Sequence, residues 1–157
     1  MNQQVPHATR ELVAVFERQK LAFATTDAPS LAARKASLKQ LKKQLARYQD
    51  AFADAISADF GGRSHDETRM LDVLKVARGI SHALSGLHRW MKPVRRKTDL
   101  LLLSNRLEVR YQPKGVVGII ATWNFPLVVS LGPLTTALAA GNRAMILMPA
   151  TTPAKPI

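Results

Sequence analysis

Apolar residues recur at spacings of three and four through the first part of the chain, and that period predicts helices. Between residues 8 and 24 the stripe is Leu12, Val15, Phe16, Gln19 and Phe23, closed by Thr25-Thr26-Asp27 and Pro29. Ser30 stands where a helix cap is needed, because its hydroxyl can accept from an amide left open at a helix start. From Leu31 to about Asp59 the positions Leu38, Leu41, Leu45, Tyr48, Phe52 and Ile56 predict one long amphipathic helix, stopped by Gly61-Gly62. Ser64-His65-Asp66-Glu67 reads as a capping box, in which Ser64 and Glu67 satisfy each other's amides, so a third helix is expected from near His65. Its expected buried face is Leu71, Leu74, Ala77, Leu84, Leu87 and Trp90 or Met91, and Pro93 stops it.

After the basic stretch Lys92-Pro93-Val94-Arg95-Arg96-Lys97 the pattern changes. Leu100 to Leu103, a Ser104-Asn105 turn, and Leu107-Val109-Tyr111 alternating with Glu108 and Arg110 predict a β-hairpin. Gly115 to Ile120 is a short β-branched run that fits a buried strand of a parallel sheet. It ends at the polar Thr122-Trp123-Asn124, and Pro126 then suits the first turn of a helix, where its missing N–H would have had no partner. Leu127, Leu131, Leu134 and Leu138 carry that helix to Gly141-Asn142, which supplies a left-handed stop, and Ala144 to Leu147 is a second strand. The unit is βαβ. Its right-handed crossover makes the strands parallel and puts the Trp123-Asn124 turn at a carboxyl edge, where ligands bind in such sheets.

Composition narrows the chemistry further. The 157 residues hold no cysteine, which excludes a disulfide scaffold and a cysteine-based metal site. His7, His65, His82 and His88 have no recognised ligand spacing, so no metal is expected. The formal charge is +12, with 18 Lys/Arg against 10 Asp/Glu in residues 1–100. Such a balance permits a basic helical module that binds nucleic acid through phosphate contacts. Lys35, Lys39, Lys42, Lys43 and Arg47, however, sit opposite an apolar stripe and read as a solvated face, so no nucleic-acid partner is expected. Gly115 to Asn142 carries no charge and is long enough to span a bilayer, yet Asn124, Pro126, Gly132 and Pro133 interrupt it, so no membrane partner is expected either. Met1 to Thr9 is polar and lacks the apolar centre of a cleavable signal; a cytoplasmic protein is expected.

Three separate motifs then carry a resemblance. Trp123-Asn124-Phe125-Pro126, Leu131-Gly132-Pro133-Leu134 and Leu138-Ala139-Ala140-Gly141-Asn142, at this spacing, resemble the aldehyde dehydrogenase superfamily. Ser57-Ala58-Asp59-Phe60-Gly61 and the Trp90-Met91-Lys92-Pro93 helix end are similar to the coniferyl aldehyde dehydrogenase type within it. The resemblance implies an α/β fold: N-terminal helices over 1–97 and a β-hairpin over 98–112, leading into the first βαβ unit of a Rossmann-like dinucleotide-binding domain over 113–157, truncated. It implies oxidation of an aldehyde to the acid with NAD or NADP, coniferyl aldehyde being one candidate substrate, and a homo-oligomeric full-length enzyme.

The resemblance also assigns roles. Asn124 read alone is a helix cap; the matching asparagine of the family stabilises the oxyanion that forms as the aldehyde carbon becomes tetrahedral. Ile120, Ala121, Thr122 and Trp123 match the strand end along which the family lays its nicotinamide cofactor. Two departures stand out. The family's ribose-binding Lys and Glu fall at Leu147 and Ala150, while Thr152-Pro153 is kept, so cofactor affinity is expected to be weakened. The family's cysteine nucleophile and glutamate base match nothing here, so the 157 residues alone are expected to be inactive.

Overall fold

A computed structural model describes residues 7–102 and 104–149. The expected features at Met1 to Pro6, Leu103, Ala150 and Thr152-Pro153 lie outside the described residues. The helices are α1 (His7–Ala24), α2 (Leu31–Arg47), α3 (Gln49–Asp59), α4 (His65–Thr68), α5 (Leu74–Trp90) and α6 (Pro126–Ala139). A π-helical turn, Arg69–Val73, joins α4 to α5 without a break, so the expected third helix is one rod carrying an inserted turn. The strands are β1 (Val94–Arg95), β2 (Glu108–Val109), β3 (Val116–Ile120) and β4 (Arg143–Leu147).

The strongest local signals act as the residues dictate. The Ser30 hydroxyl accepts from the Ala33 amide at 3.2 Å and caps α2. Pro126 is the first residue of α6. At its other end the Asn142 amide bonds the Ala137 carbonyl at 2.9 Å and the Gly141 amide bonds Leu138 at 3.0 Å, the paired closure of a helix that ends on a left-handed glycine. Gly141 has φ +82°. β3 and β4 are parallel, with Val116 opposite Arg143 and Ile120 opposite Leu147. The βαβ unit is therefore present as the sequence pattern requires.

Three expectations are corrected. The helix expected from Leu31 to Asp59 is two helices, because Tyr48 takes φ −105° and ψ 10° and turns the chain. That bend lets α2 lie against α5 and α6 while α3 turns to α4 and the π-helical turn, and it leaves Tyr48 exposed. The expected pairing of 100–103 with 107–111 is replaced: β2 pairs antiparallel with β1, Val94 opposite Val109 and Arg95 opposite Glu108. Asp99 accepts the Leu100 amide at 2.6 Å and starts a 3-10 turn over Leu100–Leu102, which withdraws those residues from any ladder. The Ser64 side chain makes no capping bond; Glu67 turns instead to Arg63, 3.2 Å away, a cation that competes better than an amide for a carboxylate.

The core lies between the helical layer and α6. Leu38, Leu45, Ile56, Val73, Val76, Ile80, Ala83, Leu87, Leu127 and Ala139 form it. Each fully enclosed Leu or Ile here contributes about 2 kcal/mol by leaving water. On the third helix the fully buried stripe is Val73-Val76-Ile80-Ala83-Leu87, which shares Leu87 with the one expected; the expected Ala77, Leu84 and Met91 pack against it half-buried, while Leu74 and Trp90 are exposed. Both stripes have helical spacing, and packing against α2 and α6 chooses between them. Among the described residues no helix is long and apolar enough to cross a membrane, since the uncharged run 115–142 folds as strand, turn and a short helix.

Arg34 ties this core to α6. Its side chain is buried, with Nε donating to the Pro29 carbonyl at 2.8 Å and Nη1 to the Ala139 carbonyl at 3.2 Å. It thereby satisfies a carbonyl in the last turn of α6, and burial holds its pKa below the ordinary arginine value. Asn142 does the same for β3: its Oδ1 accepts from the amides of Lys114 at 2.6 Å and Gly115 at 3.0 Å.

Candidate active site

The carboxyl end of β3 and the turn into α6 bring all five expected site residues together. Ala121 is buried and its amide bonds the Leu147 carbonyl at 2.9 Å, which continues the ladder to the edge. Ile120 beside it is 78% exposed and Trp123 54% exposed, so the strand end presents an open apolar floor rather than core. Leu147, opposite Ile120 in the register, is exposed too.

Asn124 is exposed, and its side chain does not cap α6. Its Oδ1 accepts from the Thr122 hydroxyl at 2.7 Å, which orients the amide and leaves its two N–H groups as donors. The amide closing the first turn of α6 is met from elsewhere. Asp72 Oδ1 accepts from the Val128 N–H at 3.1 Å, across 56 residues of sequence. Asp72 is fully buried, and burial is the largest influence on its carboxyl, raising the pKa above 3.8 against the lowering effects of the Val128 amide and Arg63.

Sequence reasoning missed what surrounds Asn124. Arg63 Nη1 donates to the Asn124 carbonyl at 3.3 Å, and the Phe60 and Trp123 rings meet with centroids 6.3 Å apart. A usable signal existed. Thr68, Asp72 and Val76 are four apart, so a carboxylate stands on a buried helical stripe, which is uncommon unless it has a partner. A cavity of about 890 Å³ lies elsewhere, between α5, α6 and the approach to β3, and contains none of the five residues. Among the described residues no three His, Cys, Asp or Glu side chains gather closely enough to hold a metal ion.

Comparison with known proteins decides the family. Residues 2–156 match the sequence profile of the Aldehyde dehydrogenase family. The chain belongs to the aldehyde dehydrogenase family. A probable coniferyl aldehyde dehydrogenase of Pseudomonas aeruginosa is 43% identical over 152 residues, which is 97% of this chain and 32% of the relative. The chain therefore spans about a third of the length of that aldehyde dehydrogenase. Among solved structures, substrate-bound AldH of Staphylococcus aureus superposes with TM-score 0.82 at 30% identity, covering 86% of this chain and 29% of that one. PnpE in complex with nicotinamide adenine dinucleotide superposes with TM-score 0.69 at 25% identity, covering 88% of this chain and 27% of that one. The described helices and strands are thus an aldehyde dehydrogenase fold over the stretch they cover.

Proposed function

We propose that these residues supply the oxyanion donor and part of the nicotinamide-cofactor floor of an enzyme that oxidises an aldehyde to its carboxylic acid. The observation that carries this is the Asn124 amide, whose oxygen is taken by Thr122 while its N–H groups stay available at the carboxyl edge of β3. Negative charge builds on the aldehyde oxygen as its carbon becomes tetrahedral, and a neutral amide N–H stabilises that charge without being deprotonated. The name of the Pseudomonas aeruginosa relative makes coniferyl aldehyde the first substrate to try.

A nicotinamide cofactor, when bound, supplies the acceptor for the hydride that leaves the substrate carbon. The chain's own fit to it is partial. Ile120, Thr122 and Trp123 offer an exposed floor with Ala121 buried beneath it, and the similarity to PnpE, solved in complex with nicotinamide adenine dinucleotide, supports a nicotinamide cofactor in the family. Leu147 cannot donate to a ribose hydroxyl where a lysine could, so we propose weakened adenosine binding and leave NAD and NADP as equal candidates. With no cysteine in the chain, no thiohemiacetal forms on these residues alone, and we propose that the chain by itself is inactive. A reducing cytoplasm, where a catalytic thiol persists, suits this chemistry. Homo-oligomeric assembly is the corresponding proposal for the full-length enzyme; the exposed Leu100 and Leu101 would give it an apolar contact.

The test joins this chain to the remaining two thirds of the Pseudomonas aeruginosa relative and follows NADH formation from coniferyl aldehyde. Asn124→Ala should lower kcat by about 10²- to 10³-fold with little change in KM. Turnover by Asn124→Ala equal to that of the parent would reject the reading, and NADH formation by the chain alone would reject its inactivity.

A further inference from the structure

The turn that carries Asn124 is gripped from beneath by groups to which the chemistry above gives no part. Arg63, with 7% of its side chain exposed, reaches it from the segment before α4. One guanidinium nitrogen, Nη1, donates to the Asn124 carbonyl at 3.3 Å; another, Nη2, lies 3.4 Å from Asp72 Oδ2. The rings of Phe60 and Phe125 stand 5.3 and 5.0 Å from the guanidinium carbon and confine it. Asp72 itself accepts the amide of Val128, the third residue of the helix that follows Asn124. One carboxylate therefore reaches the turn twice, by a hydrogen bond to the first turn of α6 and, as an ion pair in which neither Arg63 Nη2 nor Asp72 Oδ2 has a hydrogen-bond partner among the described residues, through the arginine on Asn124's own carbonyl.

We infer that Asp72 and Arg63 are a positioning pair that sets where the Asn124 amide points. This role rests on the reading of Asn124 as the oxyanion donor. Helix capping alone does not call for such a pair: Ser, Thr or Asn would accept the Val128 N–H at a far smaller desolvation cost. Stability does not call for it either, since a buried ion pair seldom improves on apolar side chains of equal volume. The surroundings add to the cost. Asp72 is delivered by a π-helical turn, and the Thr68 hydroxyl one turn before it is buried with no hydrogen-bond partner among the described residues. What the arrangement achieves is rigidity under one exposed turn. A donor misplaced by about 1 Å loses most of its effect on a transition state, so that rigidity has a use at Asn124.

The test needs no substrate and uses the full 157-residue chain, labelled with ¹⁵N at its four asparagines, Asn2, Asn105, Asn124 and Asn142. Asn142 is an internal control, because its side chain is fixed at the opposite end of the sheet by the Lys114 and Gly115 amides. In the parent, the Asn124 backbone N–H order parameter should lie near the rigid value of about 0.85, with its side-chain N–H groups as ordered as those of Asn142. Arg63→Met keeps the apolar stem between the rings and removes the grip; Asn124 should then fall below about 0.6 while Asn142 stays unchanged. Asp72→Asn, which keeps an acceptor for Val128 and deletes the charge, should shift Asn124 the same way by a smaller amount, and Arg63→Lys should restore part of the order. Should Arg63→Met unfold the chain, the isosteric Asp72→Asn decides alone. An Asn124 that stays ordered in these variants, or an Asn142 that loosens equally, overturns the pair as a positioning device. Full turnover by Asn124→Ala in the fusion would sink the oxyanion reading and leave this result intact; an unmoved Asn124 would sink only the pair.

Discussion

Replacing Gly141 with alanine isolates the joint between α6 and β4. The backbone there has φ +82°, where a β-carbon costs about 1 kcal/mol by contact with the carbonyl beside it. That Cβ would also lie 2.6 Å from Arg34 Cζ and 2.7 Å from Nη2, well inside contact distance. Arg34 can yield only by leaving the Pro29 and Ala139 carbonyls, two hydrogen bonds from a charged donor at about 1.5 kcal/mol each. The expected total is about 4 kcal/mol, a large share of a domain stability of about 5–15 kcal/mol. Urea unfolding followed by far-ultraviolet circular dichroism measures it. In an Arg34→Ala background the same replacement should cost only the backbone part, about 1 kcal/mol, so the double-mutant cycle should show a coupling of about 3 kcal/mol. Equal costs in the two backgrounds would refute the contact, and a cost below about 0.5 kcal/mol in the parent would refute the strain as well.

The buried Asp72 gives stability a pH dependence of definite sign. Its native pKa is raised above 3.8, so the native state holds the proton more tightly than the unfolded chain does, and this residue's contribution falls as pH rises from about 3.8 through the native value. Comparing parent with Asp72→Asn by unfolding across acid pH should show that downward slope only in the parent; an upward slope would mean that Arg63 outweighs burial. Asn142→Ala removes the acceptor of two strand amides and should cost about 2 kcal/mol, with hydrogen exchange rising at Lys114 and Gly115. Unchanged protection at those two amides would show that the side chain is not what fixes the start of β3.

Sequence by itself determined the elements whose causes lie within a few residues. The Ser30 cap, the Gly61-Gly62 stop with φ +65° and +113°, the Pro126 start and the Gly141-Asn142 closure each depend on one residue's backbone freedom or one short side chain. From these the parallel βαβ unit follows, and with it the edge on which Asn124 and Trp123 stand. Where local pattern offered two answers, tertiary structure chose. The bend at Tyr48 has no glycine or proline to announce it, because it serves the packing of α2 and α3 on different partners. The pairing of β1 with β2 depends on where Arg95 meets Glu108 in space, and the leucines of 100–102 carry no information against it. The stripe that α5 buries was set by α2 and α6, which come from opposite ends of the chain. The groups that hold the site were the least legible. Arg34 reaches Ala139 across 105 residues and Asp72 reaches Val128 across 56, and a single charged side chain looks the same in a sequence whether it faces water or ties two helices together. Only the fold removes the water, and removing it is what turns those charges from solvated surface into the fixed points of the turn at Asn124.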